Sequence, residues 1–269
     1  MRYSRLLLIL TVPAILFTAY NITAEKLGSY EGELLPDLVP LPARDLTIER
    51  SADGKIFLLF STTFYNQGRG PLELSGDPAT KDIEGDLDRV VFQRVYHTNG
   101  GRSERAAGIF LWHQEHSHYH FSDFAEYDLE AVDAENHEDL AGSRVKSTFC
   151  IRDVSKIDLE LRYGRMEAYY LTCNKDIQGV SVGWADTYYF NYPAQKIEIT
   201  DLSSGTYQFV QKVNPALRLR ELDYENNMSS VLFVLNMEKG TVQVLEETPS
   251  NTPQVEHIHL EQPFGEESL

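Results

Sequence analysis

Four of the eight histidines of the chain fall in one segment, "HQEHSHYH" at 113–120. Its alternation is typical of a strand, so His116, His118 and His120 are predicted to share one face. Three imidazoles on one face can hold a metal ion, and burying them unpaired would be costly, which disfavours a merely structural row. On a flat strand the outer rings lie too far apart for one ion, so we expect a bend or bulge here.

The spacing indicates a catalytic rather than a structural metal site. An all-imidazole ligand set without thiolate suits copper, zinc, nickel or iron. No fourth strong ligand accompanies the row, which leaves positions open for water or dioxygen. His257 and His259 lie in a polar C-terminal segment and are assigned no role.

The elements that must position these histidines are predicted to be strands. Apolar, β-branched and aromatic runs recur between turn residues, and helical periodicity is scarce. The sequence therefore predicts an all-β fold, an antiparallel β-sandwich with long loops and little helix. The predicted strands are residues 55–65, 90–96, 107–112, 145–151, 168–173, 187–192 and 229–235.

Two further local structures are predicted. Residues 196–201 and 206–213 are strand-like and are separated by the turn residues "LSSG", which indicates a hairpin. Residues 134–142 are the best place for a short helical turn.

The chain is predicted to contain one domain with a segment on each side. Residues 1–24 have the layout of a signal peptide, because Arg2 and Arg5 precede an apolar run that is short for a bilayer span. We therefore expect a secreted or extracytoplasmic protein with no membrane span after cleavage; an uncleaved anchor is the alternative. The domain is expected over 28–238, and 239–269 is expected to be an acidic, disordered tail.

The charge and the cysteines restrict the partners. With 24 Lys plus Arg against 41 Asp plus Glu, the formal net charge is -17, which argues against binding nucleic acid and favours a cationic partner. Two cysteines exclude a disulfide-rich fold, a multi-cysteine zinc site and an iron–sulfur cluster. In an oxidising compartment a Cys150–Cys173 disulfide is favoured, with two buried thiols as the alternative.

Several motifs occur in a definite order along the chain. They are "PDLVP" at 36–40, "NQG" at 66–68, "WHQEHSHYH" at 112–120 followed by "YDL", "VKSTFC" at 145–150, "DTY" at 186–188, "ITDLSSGTYQFVQKVNP" at 199–215 and "DYENN" at 223–227. Together they resemble the lysyl oxidases, copper-dependent amine oxidases of the extracellular space, in a minimal catalytic-domain form.

The resemblance implies a site and a reaction. It implies that His116, His118 and His120 bind copper, and that Lys146 and Tyr188 form the cofactor lysine tyrosylquinone. The amine of Lys146 would have to be unprotonated to add to the oxidised ring. The implied reaction uses dioxygen to convert a cationic primary amine, on a lysine-bearing protein or a polyamine, into an aldehyde, ammonia and hydrogen peroxide.

One departure from the family pattern concerns the general base. The histidine that commonly precedes the tyrosine of "YDL" is replaced by Glu126, so Glu126 and Asp186 are the candidate catalytic bases. A solvated strand carboxylate is the alternative for Glu126. His113 matches another histidine of the family and is expected to orient a metal ligand or the substrate.

Three other hypotheses remain open. A zinc- or copper-binding extracellular β-sandwich without a quinone, acting as a metal hydrolase or a binding module, would use the same histidines. A serine hydrolase with Ser181 as its nucleophile is disfavoured. The segment "GVSVG" at 179–183 fits the G-x-S-x-G pattern, but no helix is predicted after it, as that motif requires. A purely adhesive β-sandwich is the third class.

Overall fold

The chain folds entirely from strands and loops in the part that the computed structural model describes, residues 32–80, 88–114, 117–132, 145–193 and 195–256. This confirms the predicted all-β fold. The strands are, in chain order, β1 (Glu33–Leu34), β2 (Leu38–Pro40), β3 (Arg44–Arg50), β4 (Ile56–Asn66), β5 (Leu72–Gly76), β6 (Arg89–His97), β7 (Arg102–His113), β8 (His118–Ala131), β9 (Val145–Phe149), β10 (Ser155–Ile157), β11 (Ile177–Val180), β12 (Trp184–Tyr188), β13 (Lys196–Glu198), β14 (Gly205–Val213), β15 (Met228–Asn236), β16 (Thr241–Thr248) and β17 (Val255–Glu256).

One large antiparallel sheet carries the histidine segment. Its strands run in the order β11, β5, β6, β7, β8, β14, β15 and β16, with β1 paired to β6 and β9 paired to β8. Buried and partly exposed residues alternate along β14 and β15, as expected where one face of a sheet covers the core. β8 pairs with β7, β9 and β14, so it is the strand on which the histidine region is assembled.

A smaller sheet is built on β4. This strand pairs with β2, β3, β12 and β13, and β12 continues through β10 to β17. Most residues of β4 are buried, which is the pattern of a strand covered on both faces. The position of β12 beside β4 is important because β12 ends at Tyr188.

Aromatic side chains join the two sheets face to face. The Phe60 ring of β4 lies 5.1 Å from that of Tyr127 on β8 and 4.5 Å from that of Phe209 on β14, measured between centroids. The Phe64 ring lies 4.5 Å from that of Phe124. These contacts form the middle of one buried cluster that includes residues of both sheets, as a β-sandwich requires.

The predicted hairpin between residues 196–201 and 206–213 is wrong. β13 pairs with β4 in the smaller sheet, whereas β14 pairs with β8 and β15 in the large one. The turn residues do separate two strands, but the chain passes from the smaller sheet to the large sheet at this point. Residues 168–173, predicted as a strand, form no regular element.

The C-terminal part of the described chain also differs from expectation. β16 is a strand of the large sheet and pairs with β15, and β17 pairs with β10. The sandwich therefore continues beyond the expected limit at Glu238. The predicted signal peptide at 1–24, the helical turn at 134–142 and the tail beyond Glu256 lie outside the described residues. In the described segments no helix has the length and apolar character needed to cross a bilayer.

The predicted disulfide is present. Cys150 and Cys173 are bonded, with their Cα atoms 5.3 Å apart, and both are buried. The alternative of two free thiols is therefore wrong. The bond joins the chain just after β9 to the irregular segment that precedes β11.

We predict that Phe60→Ala lowers the free energy of unfolding by about 3–5 kcal/mol, because it removes a fully buried ring that contacts both sheets. Urea denaturation measures the change. Phe190→Ala, at a site that is 40% exposed, is the matched control and should cost under about 1 kcal/mol. Equal losses in the two variants would contradict the assigned core.

Candidate functional site

Three histidines meet at the turn between β7 and β8. His113, the last residue of β7, pairs directly with His118, the first residue of β8. The Nε2 atoms of His118 and His120 are 2.6 Å apart. The rings of His113 and His120 are stacked, with centroids 4.1 Å apart and planes 27° from parallel.

The strand is shorter at its start than the sequence predicts. β8 begins at His118, and Ser117 before it has a φ of 51°, in the left-handed region. Alternation along β8 therefore applies to His118 and His120, while His116 lies outside the described residues. A bulge is present farther along, between Phe121 and Ala125, where the register with β9 shifts and Asp123 has a φ of 51°.

His118 and His120 are placed as two neighbouring ligands of one metal ion would be. Two imidazole nitrogens bound to an ion at about 2.0–2.1 Å and near a right angle are about 2.9 Å apart. The observed 2.6 Å is close to this, and two bare lone pairs at that distance would repel unless a proton or a cation lay between them. Within the described residues, which leave out His116, no three His, Cys, Asp or Glu side chains form a complete metal site. The two imidazoles fit part of a copper or zinc ligand set.

The hydroxyl of Thr148 lies behind this pair. Its Oγ1 atom is 3.1 Å from Nδ1 of His120 and 3.4 Å from Nε2 of His113. Thr148 belongs to β9, so three strands contribute to the histidine cluster, which we define as His113, His118, His120 and Thr148.

Tyr188, at the end of β12, is held by the backbone of Cys150. Its hydroxyl accepts a hydrogen bond from the Cys150 N–H at 2.6 Å and donates one to the Cys150 carbonyl at 3.1 Å. Its ring packs against Phe149 with centroids 4.1 Å apart. Burial, together with the carboxyl of Asp186, raises the pKa of the Tyr188 phenol well above its ordinary value.

The backbone of Lys146 is placed by β9, but its side chain lies outside the described part of the chain. Lys146 pairs with Glu126 across to β8. The Tyr188 hydroxyl is bound four residues farther along, at Cys150, which corresponds to at most about 13 Å along a strand. Lys146 thus lies near the start of β9, and Cys150, which binds the Tyr188 hydroxyl, directly follows its end.

Asp186 is a buried carboxyl two residues before Tyr188. One oxygen, Oδ2, accepts a hydrogen bond from the Arg152 N–H at 3.2 Å. Burial raises the pKa of Asp186 to about 8; the Arg152 charge opposes this shift, and the neighbouring carboxylate of Asp153 adds to it. A carboxyl in this environment can change its protonation state near neutral pH.

The comparison with known proteins decides the family. A model of the lysyl oxidase family matches residues 93–244, more than half of the chain, including the histidine segment, Lys146 and Tyr188. The chain belongs to the lysyl oxidase family. The match also contains Glu126, Thr148 and Asp186, so the lysyl oxidase region and the site described above coincide.

Individual lysyl oxidases are similar over part of their length. The protein-lysine 6-oxidase of Gallus gallus is 39% identical over 118 residues, which is 44% of this chain and 26% of that protein. That of Sus scrofa is 38% identical over 118 residues, 44% of this chain and 43% of that protein. The lysyl oxidase homolog 4 of Bos taurus is 36% identical over 124 residues, 44% of this chain and 14% of that protein. The chain thus spans less than half the length of these relatives.

Glu126, which replaces a histidine common in the lysyl oxidase pattern, is 8% exposed. Its Oε1 lies 3.9 Å from the Lys212 Nζ, which is also 3.5 Å from Oδ2 of Asp128. The alternative of a solvated strand glutamate is therefore wrong, because the carboxylate is buried and near a cation. Lys212 could not be identified from the sequence as a neighbour of Glu126, because the two residues are brought together only by the pairing of β14 with β8.

Ser181 of the "GVSVG" segment is not placed as a nucleophile. It is fully buried, and its hydroxyl donates to the Asp153 carboxylate at 2.7 Å. The chain continues into β12 rather than into a helix, so the strand–turn–helix arrangement of a nucleophile elbow is not formed.

Sequence reasoning missed Thr148 and Arg152. Thr148 is the central residue of the motif "KSTFC", so its place in that motif could have identified it. Arg152 lies two residues after the motif, and nothing else in the sequence marks it as a residue of the site. Its role as a partner of Asp186 depends on the long-range approach of β12.

We predict that Asp186→Asn makes stability less dependent on pH. Between the ordinary carboxyl pKa near 4 and the folded value of about 8, the folded protein keeps a proton that the unfolded chain has released, so the free energy of unfolding falls as pH rises. Removing this group should reduce the slope by up to about 1.4 kcal/mol per pH unit. Urea denaturation at several pH values between 5 and 7 measures it; identical slopes in wild type and variant would contradict the shifted pKa.

Proposed function

We propose that the protein is a copper-dependent oxidase of primary amines that acts outside the cytoplasm. His116, His118 and His120 would hold copper, and Lys146 and Tyr188 would form lysine tyrosylquinone. The observation that carries the proposal is the 2.6 Å approach of the His118 and His120 Nε2 atoms within the region that matches the family. Bound copper and the quinone would supply the transfer of two electrons from the amine to dioxygen, with water consumed and an aldehyde, ammonia and hydrogen peroxide released.

The histidines contribute neutral nitrogen ligands. A metal-bound imidazole must present a lone pair, and His120 can do so at Nε2 because its Nδ1 faces the Thr148 hydroxyl. His113 stacks on the His120 ring and so restricts its orientation. This stacking supports the orienting role proposed for His113.

The proposed cofactor would form on the ring of Tyr188. Its hydroxyl is now bound to both backbone groups of Cys150. The amine of Lys146 would add to the oxidised ring and not to this hydroxyl. The raised pKa of the phenol keeps it protonated in the meantime.

We take Asp186 as the first of the two candidate bases. It precedes Tyr188 by two residues on β12, is buried, and has a pKa raised to about 8 by burial, which suits proton abstraction near neutral pH. Glu126 stands opposite Lys146 in the β8–β9 pairing and close to Lys212. Glu126 remains the second candidate because its carboxylate is near the strand that carries Lys146.

The proposed substrate is a cationic primary amine. The formal charge of -17 attracts polyamines and lysine-bearing proteins and repels polyanions. The expected signal peptide at 1–24 and the disulfide both suit an oxidising, extracytoplasmic location. Dioxygen would be the second substrate.

A metal-binding β-sandwich without a quinone is the second candidate function. The specific observation in its favour is the 2.6 Å approach of the His118 and His120 Nε2 atoms, which would serve such an ion equally well without a quinone. A zinc or copper ion on the same histidines could then act as a hydrolytic centre or only be bound.

We predict that Lys146→Arg keeps copper but loses visible colour and amine oxidation, because a guanidinium cannot replace the unprotonated amine in the cross-link. Intact-mass analysis should show the gain of oxygen and loss of hydrogens in the wild type only. Lys239→Arg, at an exposed turn, is the control and should retain all three properties. Turnover by Lys146→Arg would disprove the cofactor role, and a colourless, active wild type would favour the second candidate.

A further pair of variants distinguishes the bases. If Asp186 removes the α-proton, Asp186→Asn should lower kcat/KM by at least about 100-fold, whereas Glu126→Gln should lower it by less than about 10-fold. A substrate deuterated at the α-carbon should show a larger isotope effect on kcat/KM in Asp186→Asn than in wild type. The opposite order of losses would assign the proton transfer to Glu126.

A further inference from the structure

The hydroxyl of Thr148 is shared between two imidazoles of the histidine cluster. Its Oγ1 atom is 3.1 Å from Nδ1 of His120 and 3.4 Å from Nε2 of His113. The two rings are stacked, so both nitrogens approach the one oxygen from the same side of the cluster.

A hydroxyl has one proton to donate and lone pairs to accept, whereas a neutral imidazole has one donor and one acceptor nitrogen. If Thr148 accepts from the Nδ1–H of His120, its own proton is free to be donated to Nε2 of His113. The opposite arrangement would place the His120 proton on Nε2. That proton would block the nitrogen that lies 2.6 Å from Nε2 of His118.

The first arrangement meets the requirement of metal binding through Nε2 of His120, because Thr148 accepts from the Nδ1–H of that ring. It also occupies Nε2 of His113 with a hydrogen bond, which removes that nitrogen from the ligand set although its ring lies within the cluster. The same hydroxyl would therefore determine that His120 binds the metal ion and that His113 orients His120 without binding the ion.

We propose that Thr148 is a positioning residue that fixes the tautomers of His120 and His113 and so selects His120 as the metal ligand. The inference rests on the proposed function for the identity of the ion, but the tautomers are a property of the metal-free protein. Thr148 lies on β9 two residues after Lys146, so the strand that carries the proposed cofactor lysine also orients the metal ligand.

The first test uses metal-free, full-length protein labelled with 15N in histidine. Long-range proton–nitrogen spectra should show His120 protonated at Nδ1 and His113 accepting at Nε2 in the wild type. Thr148→Val, which keeps the shape and removes the hydroxyl, should change the tautomer populations of both rings. Thr148→Ser should restore them. Wild-type tautomers in Thr148→Val would overturn the proposal.

The second test measures Cu(II) binding by competition with a chelator and by electron paramagnetic resonance. Thr148→Val should bind Cu(II) about 10–100-fold more weakly, with altered nitrogen hyperfine structure, and Thr148→Ser should bind within a few-fold of wild type. Thr63→Val is the matched control, because it also removes one threonine hydroxyl bond, to Thr187 at 3.0 Å in the smaller sheet. It should leave affinity and spectrum unchanged.

The outcomes separate this inference from the proposed function. A wild type that binds no Cu(II) but shows the expected tautomers would refute the copper proposal and retain the role of Thr148. If the wild type and Thr148→Val bind Cu(II) with equal affinity and give equal spectra, the proposed role of Thr148 is refuted and the copper proposal is retained. Circular dichroism checks folding, and Thr148→Ala replaces Thr148→Val as the hydroxyl-free variant if Thr148→Val does not fold.

Discussion

The pairing of β8 with β9 is the constraint on which the site depends. Adjacent side chains of a strand point to opposite faces, so Thr148 reaches the histidines while Phe149 packs on Tyr188. A slip of one residue would exchange these faces. The register shifts at a bulge, where the stretch from Phe121 to Ala125 on β8 opposes the shorter stretch from Phe149 to Ser147 on β9; the shift is by two residues, so each side chain keeps its face.

Cys150, immediately after β9, extends this constraint to the second sheet. Its backbone holds the Tyr188 hydroxyl, and its side chain is bonded to Cys173, whose carbonyl accepts a hydrogen bond from the Tyr119 N–H at 3.0 Å. Tyr119 lies between His118 and His120. The disulfide therefore connects the residue that anchors Tyr188 to the strand that carries the histidines.

What the sequence predicted correctly depends on local pattern or on composition. The all-β class follows from short apolar runs, and the disulfide follows from having two cysteines in a chain that is expected to be exported. The failures concern which strands pair with each other. β13 and β14 are separated by a good turn signal but pair in different sheets. β16 is polar enough to resemble a tail because it lies at the edge of the large sheet. Thr148 was missed for the same reason, since its partners are brought to it only by the β8–β9 pairing.

The environment of Tyr188 stabilises an unmodified tyrosine. Removing its hydroxyl from Cys150 would leave a buried N–H and a carbonyl without this partner, at a cost of about 1–3 kcal/mol for each group left unsatisfied. Asp186 adds a further restraint by disfavouring the phenolate. Any movement of the Tyr188 hydroxyl away from Cys150 would carry this cost. The disulfide restrains Cys150 further by fixing it covalently to Cys173. Tyr188 is restrained in turn by the pairing of β12 with β4, where it lies opposite Thr62, so both sides of this contact are held in place.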